Sequence, residues 1–473
     1  MSLYQSVDAY RAAHHTQPGA TAARVQQVLD QLNGLGRRLA AVRFTDEDFA
    51  LNQAGQLAAS KQADQHLAGV PLAHKELYGR TFTDRPGWPD EGGSKSYQGQ
   101  TARRTATVID KLDTAGAIDC GRLVSVEYAL GVTGHNAFAG TPKNPWNAAY
   151  ICGGSSSGSG AAVAAGIVPA ALGSDTGGSI RLPAAACGLV GIKPTQGLVS
   201  RAGVFALSNA LDTVGPLSRS VRDGAQIFAA LTGYDGTDNQ SLHSPPADYL
   251  SGLEDGLQGI RMGLAERYFL SGSEAEVADP VAACFEQCAR AGAYCRDIEI
   301  TGIEATNPLN VLLIATEAAQ IHKDVVLDRP DQLNDQTLMR ILTGIFTHDE
   351  AYQRLQAARA ECIMRTVDEV FADIDMFMTP VWPFALPTIE QSDVGAHPEA
   401  APLMQRIGHN TRPVNFLGLP AVCLPIGFDR NGLPVSVQLV GRPFSEALLL
   451  RAARAIERDY DFWSARPDLS QFD

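Results

Sequence analysis

The sequence predicts a large globular core holding helices and buried strands, on three observations. The residues from Ala161 to Gly173 are apolar and small, which suits a tightly packed helix running into a buried strand. Cys187 to Pro194 is a second apolar run, ending at a proline. Hydrophobic residues make up 45% of the 473-residue chain, ample material for a large core.

The elements follow in chain order. Thr21 to Leu39 has helical spacing, with Val25, Val28, Leu29 and Leu32 on one face. Lys143 to Tyr150 holds a proline and two asparagines and reads as a loop. Gly153 to Gly160 has the composition of a flexible linker, but it leads directly into the apolar run at Ala161, so its glycines belong inside a core. Val277 to Ala291 and Ala351 to Phe371 are amphipathic, and a segment rich in Pro, Asp and Asn, Arg329 to Gln336, lies between them. The nearby Leu338, Met339, Ile341, Leu342, Ile345 and Phe346 either line a pocket or pack against a sheet. Length alone suggests about three domains, yet no internal repeat is visible.

Composition excludes several function classes. With 38 basic and 52 acidic residues the net charge is −14, which argues against a nonspecific grip on nucleic-acid phosphates. The eight cysteines form no CxxC pair and, with the histidines, offer no metal-ligand spacing, so neither a metal nor another cofactor is expected. Their scatter agrees with a reducing cytoplasm. The opening residues lack both a basic start and an apolar run, so no secretory signal is expected there. The longest apolar stretch, Ala161 to Leu172, is too short to span a bilayer and is broken by Pro169. The expected chain is cytoplasmic, with a small-molecule substrate and neither a nucleic-acid nor a membrane partner. Its oligomeric state is open, a homodimer being one option.

The chemistry concentrates between Gly153 and Pro183. Asp175-Thr176-Gly177-Gly178-Ser179 offers a hydroxyl among backbone N–H groups that no side chain screens, which is how an acyl-transfer site looks in sequence. Ser179 is the candidate nucleophile. The amides of Thr176, Gly177, Gly178 and Ser179 are the candidate oxyanion donors, because consecutive N–H groups in a glycine turn form an anion-binding concavity.

Several separate blocks occur in one order: GVPLAHKELYG around Lys75, GGSSSGSGAAVAAG, GSDTGGSIRLPAAACGLVGIKPTQG, and RPVNFLGLPAVCLPIGF with GLPVSVQLVG. They resemble the amidase signature family of hydrolases, over about Leu67 to Leu217 and again from Met376 to the end. The resemblance implies the α/β class: one large domain over residues 1–473, with a mixed central β-sheet flanked by helices on both faces. Residues 67–217 would be its catalytic core segment and 234–371, where the likeness fades, a variable cover shaping the substrate pocket. It implies a triad: Ser179 as nucleophile, Ser155 as the bridging serine whose preceding peptide bond, from Gly154, is cis, and Lys75 as the lysine driving the proton relay.

That role demands a neutral amine. A lysine, with an ordinary pKa of about 10.4, is a useless base at pH 7 unless burial disfavours its charge. Leu72, Ala73 and Leu77 supply apolar surroundings. Asp175 and Arg181 flank the glycine turn and read better as an ion pair holding it rigid than as substrate contacts. Two positions depart from the family pattern: Ser157 adds a side chain near the cis turn, and Glu76 places a carboxylate beside Lys75 that would raise the lysine's pKa if the two approached.

Competing sites are weaker. Gly154-Ser155-Ser156-Ser157-Gly158 fits the G-x-S-x-G nucleophile elbow with Ser156 as nucleophile, but the preceding residues read as a loop and no histidine sits in a catalytic setting. His135 is retained only as a pocket residue, with Ser156 as a supporting one. The resulting expectation is an amidase cleaving a linear or aryl amide, or a related carbamate, hydrazide or ester, through an acyl-enzyme. The alternatives are the glutamine-hydrolysing subunit of a tRNA-dependent amidotransferase and a non-catalytic binding protein that has kept the fold.

Overall fold

A computed structural model describes residues 3–59, 65–244 and 247–473. Its strands are β1 Val42–Thr45, β2 Pro71–Lys75, β3 Ile118–Leu123, β4 Lys143–Asn144, β5 Asn147–Ile151, β6 Ala170–Asp175, β7 Val190–Lys193, β8 Thr213–Ser218, β9 Arg261–Leu264, β10 Tyr294–Asp297, β11 Met376–Pro380, β12 Ala421–Phe428 and β13 Pro434–Gly441. Eight of them form the central sheet in the order β10-β9-β11-β13-β12-β7-β8-β6. It is mixed: β10, β9 and β11 run parallel to one another and the remaining neighbours pair antiparallel. β1, β3 and β2 make a separate three-stranded sheet.

Strands β6, β7, β8, β11 and β13 are buried along their whole length, as expected of a sheet with helices on both faces. Helices Val221–Leu231, Ala275–Arg290 and Glu446–Tyr460 pack on it, as do the short helices Ser157–Ala164 and Arg181–Ala186. Ser220 caps the first of these by accepting from the Asp223 amide at 3.1 Å. This is a single α/β domain. One large apolar cluster explains why length misleads here, since it draws residues from Val7 to Phe472, with smaller clusters beside it.

The apolar run from Ala161 becomes the second half of helix Ser157–Ala164 and then β6, and Cys187 to Pro194 contains β7. The glycines do lie in the core: a Cβ on Gly158 would fall 2.5 Å from the Ala41 carbonyl oxygen. Thr21–Gln31 is helical and the next turn, Leu32–Gly36, is a π-helix, with Val25, Val28, Leu29 and Leu32 all buried. The two amphipathic segments are helices Ala275–Arg290 and Asp349–Val370. Lys143 to Tyr150 departs from the expected loop: β4 and β5 pair as a small ribbon whose turn is closed by Asn144 Oδ1 accepting from the Trp146 amide at 3.0 Å. The proline sits in the turn, where it costs no ladder bond.

Candidate active site

Lys75 ends β2, in the small sheet, and its side chain is fully buried. Its Nζ donates to Ser155 Oγ at 2.7 Å and to Ser174 Oγ, near the end of β6, at 2.9 Å. The two sheets therefore meet at this amine. Burial pushes the ammonium down to about 7, against the opposing pull of Asp212, Asp175 and Glu76. Leu72, Ala73 and Leu77 are each 1% exposed, which is the desolvation the sequence anticipates.

The peptide bond between Gly154 and Ser155 is cis. Next to it, Ser156 Oγ donates to the Ser179 carbonyl oxygen at 2.6 Å and accepts from the Ser174 amide at 3.3 Å. Ser156 is thus turned into the fold, tying the Ser179 loop to the Lys75 partner. A strand does precede this stretch, contrary to the loop reading used against the elbow; the inward hydroxyl of Ser156 is what weighs against it.

Ser179 is 5% exposed and lines a cavity of about 410 Å³ together with Thr176 and Gly177. Gly178 holds φ +126, and a Cβ there would lie 2.4 Å from Thr411 Oγ1, so glycine is required on both counts. Its amide donates to Asp175 Oδ1 at 2.8 Å. Of the four candidate oxyanion donors, Gly178 is therefore already engaged. No hydrogen bond from the amides of Thr176, Gly177 or Ser179 occurs among the described residues.

Asp175 and Arg181 are both fully buried and pair at 3.0 Å and 3.1 Å through the two carboxylate oxygens. Arg181 also donates to Gln438 and Asn415, and Asn415 donates to Asp175. Burial opposes the carboxylate charge, but Arg181, Lys193 and Asn415 outweigh it and hold the Asp175 carboxyl below the usual range. This network ties the glycine turn to β13 and to the segment around Thr411, in keeping with a rigidifying ion pair.

Other expected residues fall elsewhere. His135, expected as a possible pocket residue, shares a 2.9 Å hydrogen bond with Ser392 and is not among the residues lining this cavity. Glu76 makes no hydrogen bond to Lys75; it accepts from the Ser125 amide at 2.8 Å and pairs with Arg43, and burial raises its carboxyl to about 7. Ser157 Oγ is buried without a partner, and its Cβ sits 3.1 Å from where a Cβ on Gly134 would be. Of the hydrophobic group near residue 340, Met339 lines the cavity; Ile341 is core, with Leu338, Leu342 and Ile345 packed on it, and Phe346 is 79% exposed.

Three contributions escape sequence reasoning. Ser174 had a signal, lying in the same block as Ser179. Arg340 and Arg412 line the cavity from helices Asp335–Ile345 and Arg412–Phe416, far apart in the chain. Pro308, Val311, Leu312, Ile314 and Ala315, from helix Ile303–Asp328, complete its apolar wall.

The amidase family model matches residues 23–450. The A subunit of glutamyl-tRNA(Gln) amidotransferase from Neisseria meningitidis serogroup C is 34% identical over 452 residues, covering 89% of this chain and 92% of that protein. A solved structure described as a vestigial protein complex revealing the evolutionary origins of an s-triazine catabolic enzyme superposes with TM-score 0.89 at 29% identity, over 98% of this chain and 100% of that one. A bacterial aryl acylamidase of the amidase signature enzymes superposes with TM-score 0.85 at 25% identity, over 98% and 99%. The chain belongs to the amidase signature family. It is a hydrolase-type enzyme acting on non-peptide carbon–nitrogen bonds.

Proposed function

We propose that the chain hydrolyses a carboxamide through an acyl-enzyme on Ser179, with Ser155 and Lys75 as the proton relay. The observation that carries this is the fully buried Lys75 amine, brought down to about 7 and 2.7 Å from Ser155 Oγ. With the amine neutral, the same contact runs the other way, Ser155 O–H donating to the Nζ lone pair. Ser179 Oγ attacks the carbonyl carbon, its proton passing to Ser155 Oγ while the Ser155 proton passes to Lys75. The oxyanion is held by the free amides of Thr176, Gly177 and Ser179. Collapse breaks the C–N bond, and the relay returns the proton to the departing nitrogen. Water then repeats the sequence on the ester, releasing the acid and Ser179.

For the substrate, the relatives support glutamine best. The glutamine-hydrolysing component of an amidotransferase, whose relative here is 34% identical, is a better-supported reading than a free-standing amidase for linear or aryl amides. It implies partner proteins and a cytoplasmic setting. A second reading, a hydrolase that works alone on an anionic amide, is favoured by the arginines of the cavity. The segment 234–371 acts here as cover, supplying much of the wall opposite Ser179. A binding protein that kept the fold is the least supported, because a depressed lysine beside two serines serves no binding purpose.

The test is a fluorophosphonate label followed by peptide mapping, with ammonia release measured from glutamine and from simple amides by the chain alone. An adduct on Ser179 and turnover lost in Ser179→Ala support the proposal. An adduct on Ser156 sinks it.

A further inference from the structure

The register of the large sheet brings a further carboxylate to the site. β8 opens with Thr213 opposite Asp175, the last residue of β6, so one step beyond the ladder Asp212 meets Thr176, the residue that leads into the glycine turn. Thr176 Oγ1 donates to Asp212 Oδ1 at 2.6 Å. The other carboxylate oxygen accepts from the amides of Leu207 and Ser208 at 2.8 Å and 3.0 Å. Thr176 and Leu207 both line the cavity that holds Ser179. Asp212 lies behind them, lining a second cavity of about 330 Å³ together with Ser174, whose hydroxyl touches the Lys75 amine.

The loop that carries Asp212 is itself fixed. The Ser208 hydroxyl and the Ala210 amide, the latter at 2.9 Å, donate to Glu317, a fully buried residue of helix Ile303–Asp328. Arg201 donates to the Asn209 carbonyl oxygen at 2.6 Å, and the Asp212 amide to that of Ser208 at 3.1 Å. A carboxylate seated in this way cannot drift, so the Thr176 side chain it accepts from is held in turn.

Its charge is also less engaged than that of its neighbours. Three carboxylates face the Lys75 amine: Asp212, Asp175 and Glu76. Asp175 pairs with Arg181 and Glu76 with Arg43. Asp212 forms no ion pair among the described residues; Arg201, the cation that bears on it, is paired with Asp238 at 3.0 Å. Tyr78 also faces Asp212, and its hydroxyl donates to the Gly173 carbonyl oxygen at 2.6 Å. Burial raises the Asp212 carboxyl, while Thr176, the two amides and Arg201 oppose that rise. Three donors on two oxygens favour the anion.

We propose that Asp212 is a positioning residue of the reaction, its carboxylate fixing Thr176 in the oxyanion turn and supplying an unpaired negative charge that faces the Lys75 amine. The claim rests on the acyl-enzyme reading of Ser179 and adds a residue which that reading does not use. Held by its side chain, Thr176 presents its backbone amide to the cavity without reorganising when the oxyanion forms. The charge keeps the buried amine basic enough to accept a proton from Ser155.

The experiment measures pH profiles of kcat and kcat/KM on the full chain, with glutamine or a simple amide such as butyramide, whichever the wild-type chain turns over. Asp212→Asn should lower kcat about 10- to 100-fold with little change in KM. Its acid limb of kcat/KM should move to lower pH by about one unit, because an ammonium deprived of a facing carboxylate gives up its proton more easily. Thr176→Val should lower kcat about tenfold and leave the limb in place, since the carboxylate remains. Thr176→Ser, which keeps the hydroxyl, should restore most of the turnover. Wild-type kcat in Thr176→Val, or an unmoved limb in a folded Asp212→Asn, overturns the proposal. If circular dichroism shows Asp212→Asn unfolded, the Thr176 pair decides: loss in the Val variant with recovery in the Ser variant supports the proposal, and equal activity overturns it. Fluorophosphonate labelling of Ser179 needs no turnover, and its pH dependence should shift in Asp212→Asn as the acid limb does. A wild-type chain that labels at Ser179 but hydrolyses no amide overturns the hydrolase reading alone, and the labelling profile then decides for or against Asp212.

Discussion

Ser156 Oγ donates to the Ser179 carbonyl oxygen at 2.6 Å, so the residue beside Ser155 holds the main chain of the proposed nucleophile. The hydroxyl also accepts from the Ser174 amide, whose side chain contacts Lys75, linking all three corners of the site through one oxygen. Ser156→Ala should keep the fold and lower kcat by about 10- to 100-fold, because small misplacements of a reacting group carry penalties of that order. Circular dichroism and steady-state kinetics on the same preparation check it; wild-type kcat would reduce this link to packing.

Ser155→Ala should slow amide turnover by about 10²–10⁴-fold, the usual cost of losing a proton-transfer group. An activated ester, whose leaving group needs little protonation, should lose less. Equal losses on amide and ester would detach Ser155 from nitrogen protonation.

The acid limb of kcat/KM should fall near pH 7, where burial sets the Lys75 ammonium, and level off above it, since the relay needs the neutral amine. Lys193 is also fully buried and brought to about 7 by burial, but it donates only to the carbonyls of Pro194 and Leu419. Lys75→Ala should remove the limb and most of the amide activity; Lys193→Met should keep the limb. The reverse pattern would assign the titration to Lys193.

Stability carries the same signature. A lysine whose folded pKa lies below its unfolded one binds its proton less tightly in the folded chain, so its contribution rises with pH from about 7 to the ordinary lysine range. Lys75→Met should therefore raise the unfolding temperature more at pH 6 than at pH 10. A larger gain at pH 10 would contradict a depressed folded value.

Asp175→Asn leaves Arg181 buried with its main counter-charge removed, and should destabilise by about 3–5 kcal/mol in denaturant unfolding. A loss under about 1 kcal/mol would mean that Asn415, Gln438 and the carbonyl of Thr411 satisfy the guanidinium unaided.

The parts of the site legible in sequence are those carried by short blocks. Lys75 reaches Ser155 Oγ, Ser156 beside it holds the Ser179 carbonyl oxygen, and the glycine requirement at Gly178 follows from its backbone. What stayed hidden depends on side chains meeting across the fold. Arg340 reads as one polar position on an amphipathic helix, and only the docking of Asn334 against Glu127 turns it inward. Arg412 opens a block that resembles the family, but its room comes from Gly408, a relation of backbone and side chain that no periodicity records. The Ser392 partner of His135 lies far along the chain and is likewise a contact that no short block records. For the fold, helix and buried-strand runs were readable, while the β4–β5 ribbon was not, since its strands are short, partly exposed and interrupted by Pro145.

Because Lys75 belongs to the small β1-β3-β2 sheet and Ser174 to the last strand of the large one, the proposed relay is assembled only while the two sheets remain seated together. Turnover is then a gauge of that joint. Mild denaturant that lets water into the seam returns the amine to its ordinary basicity, and the chain falls silent with most of its backbone structure intact.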